Sequence, residues 1–164
     1  MFGTQGNGIL VADMVYKKDT IRIINTQLQS TGVRVNKVLK KDYDIVKKEG
    51  RNVFSNLKAG FTERFAQVKI LKEWVKESPH PVLLCGDFNE VPYGQAYGSI
   101  SKLLRNSFED AGYGFGFTLN RSPRIVRIDN QFYGKGLRVN SFETLMEAED
   151  SDHYPLYGEY SITN

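Results

Sequence analysis

Val-Leu-Leu-Cys-Gly-Asp-Phe-Asn-Glu-Val-Pro-Tyr-Gly, residues 82–94, is the stretch on which the fold turns. Four apolar residues in succession, Val82 to Cys85, predict a short strand buried on both faces. Pro79 and Pro81 stand just before it and keep any helix from running into it. Gly86 allows a sharp exit, and Asp87 and Asn89 arrive at the carboxyl end of the strand, with Phe88 between them as an anchor. Ligands gather at that end in layered α/β folds. A carboxylate and an amide two residues apart can converge on one phosphate or metal ion, and they can equally close a hydrogen-bonded turn.

Working upstream, Phe61, Phe65, Val68, Leu71 and Val75 recur at spacings of three and four and predict a helix over 61–77 with one apolar stripe. Ile9–Tyr16 and Thr20–Thr26 are rich in Ile and Val and predict two strands turning at Lys17-Lys18-Asp19. The second delivers Asn25, Gln27 and Gln29 at its end. Residues 30–60 read as a basic, variable insertion, helical from about Val35 to Lys48 and then a loop ending at Gly60. Downstream, a helix is expected from about Gln95 to Leu104 and a loop over Gly112–Gly116. Two strands, Arg127–Tyr133 and Leu137–Thr144, are expected to meet across Gly134-Lys135-Gly136, and a last strand runs from Tyr154 to Ile162. The pattern is α/β of the α+β kind, with antiparallel hairpins and a few helices packed on sheet.

The 164 residues suffice for one domain with a core, and 40% hydrophobic with 25% charged residues is ordinary for a globular protein. No run approaches the roughly 18 apolar residues that span a membrane, and Met1 begins no signal peptide. The compartment is not legible. The single cysteine, Cys85, excludes an internal disulfide framework and reads as an inert core residue. Net charge is +3, yet residues 34–58 carry eight Lys or Arg against Asp42, Asp44 and Glu49, so that window holds 8 − 3 = +5. This suits either a solvated helix face or a polyanionic partner. The aromatic run Tyr113–Phe117 reads as a loop tucking its rings into the core, with base stacking as the alternative. Neither a Gly-rich phosphate loop nor a nucleophilic-serine elbow is present.

Three sets of polar groups stand at strand ends: Asp87 with Asn89, Asp129 within Arg127-Ile128-Asp129-Asn130, and Asp152-His153 within Ser151-Asp152-His153-Tyr154-Pro155. Carboxylates can bind a divalent cation or activate water, and an imidazole can meet developing negative charge. An Asp beside a His fixes its tautomer and raises its pKa.

In order and spacing these motifs, with Ile24-Asn25-Thr26-Gln27-Leu28-Gln29-Ser30 before them, resemble the endonuclease/exonuclease/phosphatase superfamily, the deoxyribonuclease-I-like fold. Arg127-Ile128-Asp129-Asn130 is most similar to a branch found in Bacteroidetes-like bacteria. The resemblance covers nearly all of the chain from about Gly8. It implies a four-layer α/β/β/α sandwich with largely antiparallel or mixed sheets, and a phosphodiesterase or phosphatase dependent on Mg2+ or Mn2+. It further implies that Asp87 orients or deprotonates the attacking water, while Asn89 holds Asp87 and a phosphate oxygen. His153 meets the charge of the transition state with Asp129 behind it, and Asp152 sits at the metal or its water shell. Asn25 and Gln27 join Asn89 as substrate-binding positions. The substrates implied are nucleic acids, inositol phosphates or phospholipid headgroups.

Two departures qualify the resemblance. The early asparagine and the metal-binding glutamate of the family's first half have no counterpart, so 1–164 reads as one incomplete domain, the C-terminal portion of a larger protein, inactive alone. Such a portion is expected to expose an apolar face and to self-associate through it. Gln27 stands where the family has a catalytic histidine; its amide donates a hydrogen bond but carries no charge. A degenerate module that binds phosphate or a partner without turnover is the alternative reading.

Overall fold

The computed structural model describes residues 7–30, 43–121, 125–148 and 150–163, with backbone alone for 43–57. Its centre is a five-stranded mixed sheet. The strands β1 (Gly8–Tyr16) and β2 (Asp19–Gln27) form the expected hairpin, in unbroken register from Gly8 opposite Gln27 to Tyr16 opposite Asp19. Lys17 takes a left-handed φ of 57° in the two-residue turn, which matches the twist of the flanking strands. The long helix α1 (Tyr43–Lys76) then leads to β3 (Val82–Asp87), which pairs parallel with β2. A helix between two parallel neighbours is the βαβ unit that a parallel pairing demands.

Two short helices follow, α2 (Gln95–Ile100) and α3 (Ser107–Ala111), with the two-residue strand β4 (Arg105–Asn106) between them. The strand β5 (Asp129–Tyr133) pairs antiparallel with both β3 and β4, giving the order β1-β2-β3-β5-β4. The strands β6 (Leu137–Thr144) and β7 (Leu156–Ile162) form a separate antiparallel sheet with a bulge between Val139 and Ser141.

Alternation along the central strands assigns their residues to two layers. Ile24, Leu84 and Phe132 are fully buried against Val68 and Leu71 of α1 and Tyr97 and Ile100 of α2. On the opposite face Ile21, Ile23, Leu83 and Tyr133 pack against Leu137, Val139, Phe142 and Tyr160 of the β6–β7 pair. The described residues thus stack as helices, central sheet and second sheet, a mixed α/β architecture. The second sheet leaves the same face of β1 open: Leu10, Met14 and Tyr16 are 68%, 43% and 52% exposed.

Four expectations are corrected. Residues 49–60, expected to be a loop, belong to one continuous 34-residue helix. The helix contains no proline, and Gly50 and Gly60 each cost only about 1 kcal/mol in a helix interior. Residues 31–42, including the start of the expected basic helix, lie outside the described residues. The apolar stripe of α1 is narrower than its spacing suggests: Val68 and Leu71 are buried, whereas Phe61 and Phe65 are 46% and 56% exposed. The β5–β6 connection is not a hairpin, because after Gly134-Lys135-Gly136 the chain leaves the central sheet and pairs with β7. Finally, Gly86 lies within β3 rather than at its exit; with φ of 142°, any Cβ there would collide with the Thr26 carbonyl. Glycine is required for the close approach of β2 and β3.

Candidate active site

Pairing places Gln27 of β2 opposite Asp87 of β3, and Asp87 opposite Asp129 of β5. Directly paired residues project to the same face, so three polar residues form one row across three strands. The row lies on the face shared with the second sheet, at the carboxyl end of the parallel pair. Asn25 stands on the same face one row inward, where its Nδ2 reaches the Cys85 Sγ at 3.6 Å.

Asp87 is fixed from beyond its strand. The Asn89 backbone N–H donates to Asp87 Oδ1 at 2.7 Å, and Asn89 Nδ2 donates to Asp87 Oδ2 and to the Leu28 carbonyl, both at 2.9 Å. Asn89 adopts φ of 49°, a conformation asparagine tolerates better than most residues. Phe88 between them is fully buried with its ring 5.4 Å from Phe132. In this geometry both amide protons of Asn89 are engaged by the protein, so it acts as a brace on Asp87.

His153 comes from the other end of the sequence. Its Nδ1 lies 2.8 Å from Asp129 Oδ2, and Nε2 has no hydrogen-bond partner among the described residues. An isolated bridge between Leu119 and His153 holds the backbone, flanked by Asn120 N–H to the Asp152 carbonyl at 2.8 Å and Tyr154 N–H to the Thr118 carbonyl at 2.7 Å. One ligand atom from each of Asp87, Asp129 and His153 falls within 4.8 Å of the others. Asp152 is not in this group; its carboxylate pairs with Arg121 and is 41% exposed.

The electrostatics follow from the geometry. Burial pushes the Asp87 carboxyl up to about 6, reinforced by the neighbouring Asp129 charge and opposed by the Asn89 N–H, His153 and Arg64. The hydrogen bond to Asp129 raises the His153 pKa above its ordinary value against the opposing cost of burial, with Asp129, Asp87 and Asp152 charges adding to it. A carboxylate poised near neutrality can accept a proton, and a ring biased toward imidazolium can face an anion.

Three structural supports escaped the sequence reading. The buried Thr118 hydroxyl accepts the backbone N–H groups of Ile128 and Asp129 at 3.0 and 3.1 Å, so one residue anchors both the Asp129 and the His153 segments. Arg64, 3% exposed, donates from two nitrogens to the Gln29 carbonyl at 3.0 and 2.8 Å and faces Glu90 at 3.5 Å. Glu90 in turn accepts the Ala96 and Tyr97 N–H groups at the start of α2. Arg64 sits three residues after Phe61 and four before Val68, and a cation on an apolar stripe is the signal that could have revealed a buried partner.

The sequence matches the model of the Endonuclease/Exonuclease/phosphatase family over residues 6–153, and the chain belongs to that family. Solved structures share the fold at low identity. The Bacteroides thetaiotaomicron mannosyl-6-phosphatase is 21% identical with a TM-score of 0.58, covering 89% of this chain and 53% of its own. An endonuclease/exonuclease/phosphatase protein from Bacteroides vulgatus is 21% identical with a TM-score of 0.57, covering 90% and 51%. The human Nocturnin catalytic domain, solved with a bound sulfate anion, is 17% identical with a TM-score of 0.61, covering 97% and 54%. The chain spans about half the length of these structures. No curated protein sequence matches it.

Proposed function

We propose that Asp87, Asn89, Asp129 and His153 form the phosphate-ester hydrolysing centre of a metal-dependent phosphoesterase. The observation that carries this reading is the convergence of Asp87, braced by Asn89, with the Asp129–His153 pair at one strand end. Asp87 takes the proton of the attacking water, and His153, held by Asp129, faces the negative charge that builds on the phosphoryl oxygens. Asn89 contributes by fixing Asp87. Gln27, in the same row, offers an uncharged donor to a phosphate oxygen, and Asn25 lies one row further from it. Family membership supports this chemistry, as do the phosphate-ester activity in the name of the Bacteroides relative and the sulfate bound to Nocturnin.

The donor set suits a hard divalent cation, Mg2+ or Mn2+, because two carboxylates supply hard oxygen ligands beside a single imidazole. A carboxylate oxygen of Asp129 would hold it, with Asp152 contributing through its water shell, which leaves Asp87 free to take the proton of the water. When bound it supplies positive charge against the phosphoryl group. Mg2+ takes one or two carboxylates and completes its shell with waters and substrate phosphate oxygens; the chain spans about half the length of its solved relatives, and in isolation it is expected to bind phosphate without turnover. The open face at Leu10, Met14 and Tyr16 is then the surface through which the isolated chain self-associates.

Two measurements test the reading. Inorganic phosphate titrated into the chain by calorimetry should bind in the wild type and not in His153→Ala. In a complete domain carrying this sequence, hydrolysis of a chromogenic phosphodiester with Mn2+ should be lost on Asp87→Ala; turnover that survives would overturn it. Gln27 favours a second reading, a module that binds phosphate without hydrolysis. A large gain of hydrolysis on Gln27→His in the complete domain supports that reading.

A further inference from the structure

The loop 113–117 turns Tyr113 and Phe115 outward rather than into the core. A larger display, in which apolar and basic groups combine, lies on α1 and the loop between β3 and α2, at the end of the sheet that carries Asp87. Hydrogen bonds fix its level: the Gln29 N–H donates to Gln67 Oε1 at 2.8 Å, and Arg64 donates to the Gln29 carbonyl. Gln29 is two residues past the end of β2, so Arg64 is level with the strand ends. Roughly twenty helical residues before it continue beyond the sheet, an overhang of about 30 Å at 1.5 Å per residue.

At the foot of the overhang the half-exposed Phe61 and Phe65 border a shallow hollow whose other wall is Glu90, Gln95 and Ala96. Val91 and Tyr93, between Glu90 and Gln95 in the chain, are 53% and 85% exposed. Tyr93 holds a left-handed φ of 68°, a strain that no burial of its ring offsets. The display is braced from beneath, because the buried Arg64 guanidinium lies 5.5 Å from the centre of the Phe61 ring and pairs with Glu90. Lys58 and Lys69, both exposed, stand one turn before Phe61 and one turn after Phe65. The basic window 34–58, with its net +5, leads into the same end.

Apolar groups and cations together narrow the occupant. A second copy would set one +5 window beside another, and like charges oppose that contact. A nucleic-acid backbone would meet the cations but leave Val91 and the half-sunk Phe61 and Phe65 in water, since stacking needs an open ring face. An anionic bilayer answers both: apolar side chains enter the boundary of headgroups and acyl chains, and lysines meet acidic headgroups.

We propose that Phe61, Phe65, Val91 and Tyr93, flanked by Lys58 and Lys69, dock the protein on the surface of an anionic lipid bilayer. The whole chain, sedimented with phosphatidylcholine vesicles, should partition about 10-fold more strongly when a third of the lipid is phosphatidylserine. The double substitution Phe61→Ser, Phe65→Ser should cut that partitioning by about 10-fold, and Lys58→Glu by about 5-fold. Tyr93→Ser, which removes a ring the fold does not bury, should weaken it as well. Leu10→Lys, on the open strand, and His153→Ala, in the site, should dock as the wild type does. Partitioning that ignores phosphatidylserine, or that survives the Phe61, Phe65, Lys58 and Tyr93 substitutions, overturns the proposal. Loss of docking in Leu10→Lys or His153→Ala would move the contact to β1 or to the site and overturn it too. A poly-dT oligonucleotide bound through Phe61 and Phe65, by a chain that leaves the vesicles alone, would give the face to nucleic acid instead.

Discussion

The two faces of the central sheet differ more than any other two regions of the molecule. On the helix side Ile24, Leu84, Phe88 and Phe132 are fully buried in one continuous core. On the opposite side the same strands are apolar at one end of the sheet, at Ile21, Leu83 and Tyr133, and polar at the other, at Gln27, Asp87 and Asp129. One alternation thus serves both purposes: each inward residue adds to the core, and each outward residue at the strand ends joins the site. Substitutions on the two faces should separate stability from chemistry.

The largest separation is expected at His153. In a complete domain His153→Ala should lower phosphodiester hydrolysis by about 10²- to 10⁴-fold, with the melting temperature lowered by no more than about 2–4 °C by calorimetry, the shift that about 1 kcal/mol represents. A comparable loss of stability would merge the two faces and break the comparison. Phe132→Ala, on the core side, should cost about 3–5 kcal/mol in denaturant unfolding while leaving the His153 titration in place.

Asp87 sharpens the contrast through pH. Its folded pKa of about 6 lies above the ordinary 3.8, so the folded state binds more protons than the unfolded one between those values. Its ionised form therefore costs stability above about pH 6, and that cost is relieved as pH falls toward 4. Hydrolysis should fall over the same interval, as the base is protonated. Asp87→Asn, which removes the buried charge, should stabilise the fold at neutral pH by about 1 kcal/mol and abolish hydrolysis. The smallest effect is expected on the open strand: Leu10→Lys should change stability by less than about 0.5 kcal/mol, yet raise the monomer fraction by light scattering. An unchanged fraction would show that the apolar row is not sticky.

Much of this was legible in the chain because its signals are local. Val82–Asn89 contains the strand, the brace and the carboxylate within one short stretch, and Ile9–Gln27 carries its own turn. What the sequence concealed depends on partners far away. Gly134-Lys135-Gly136 reads as a hairpin turn, but only the pairing of Leu137 with Ile162 reveals that the chain changes sheets there. Thr118 shows no local pattern at all; its role comes from Asp129 and Tyr154, which lie in other segments. The aromatic loop reads as core filler because its outward display depends on Phe108 lying beneath Gly112 and Gly116.

Asp129 and His153 stand as one hydrogen-bonded unit at the head of the sheet. Proton NMR titration of the His153 imidazole measures the coupling directly. The His153 pKa should stand above its ordinary value and fall in Asp129→Asn. A His153 titration that is identical with and without the Asp129 carboxylate would contradict it.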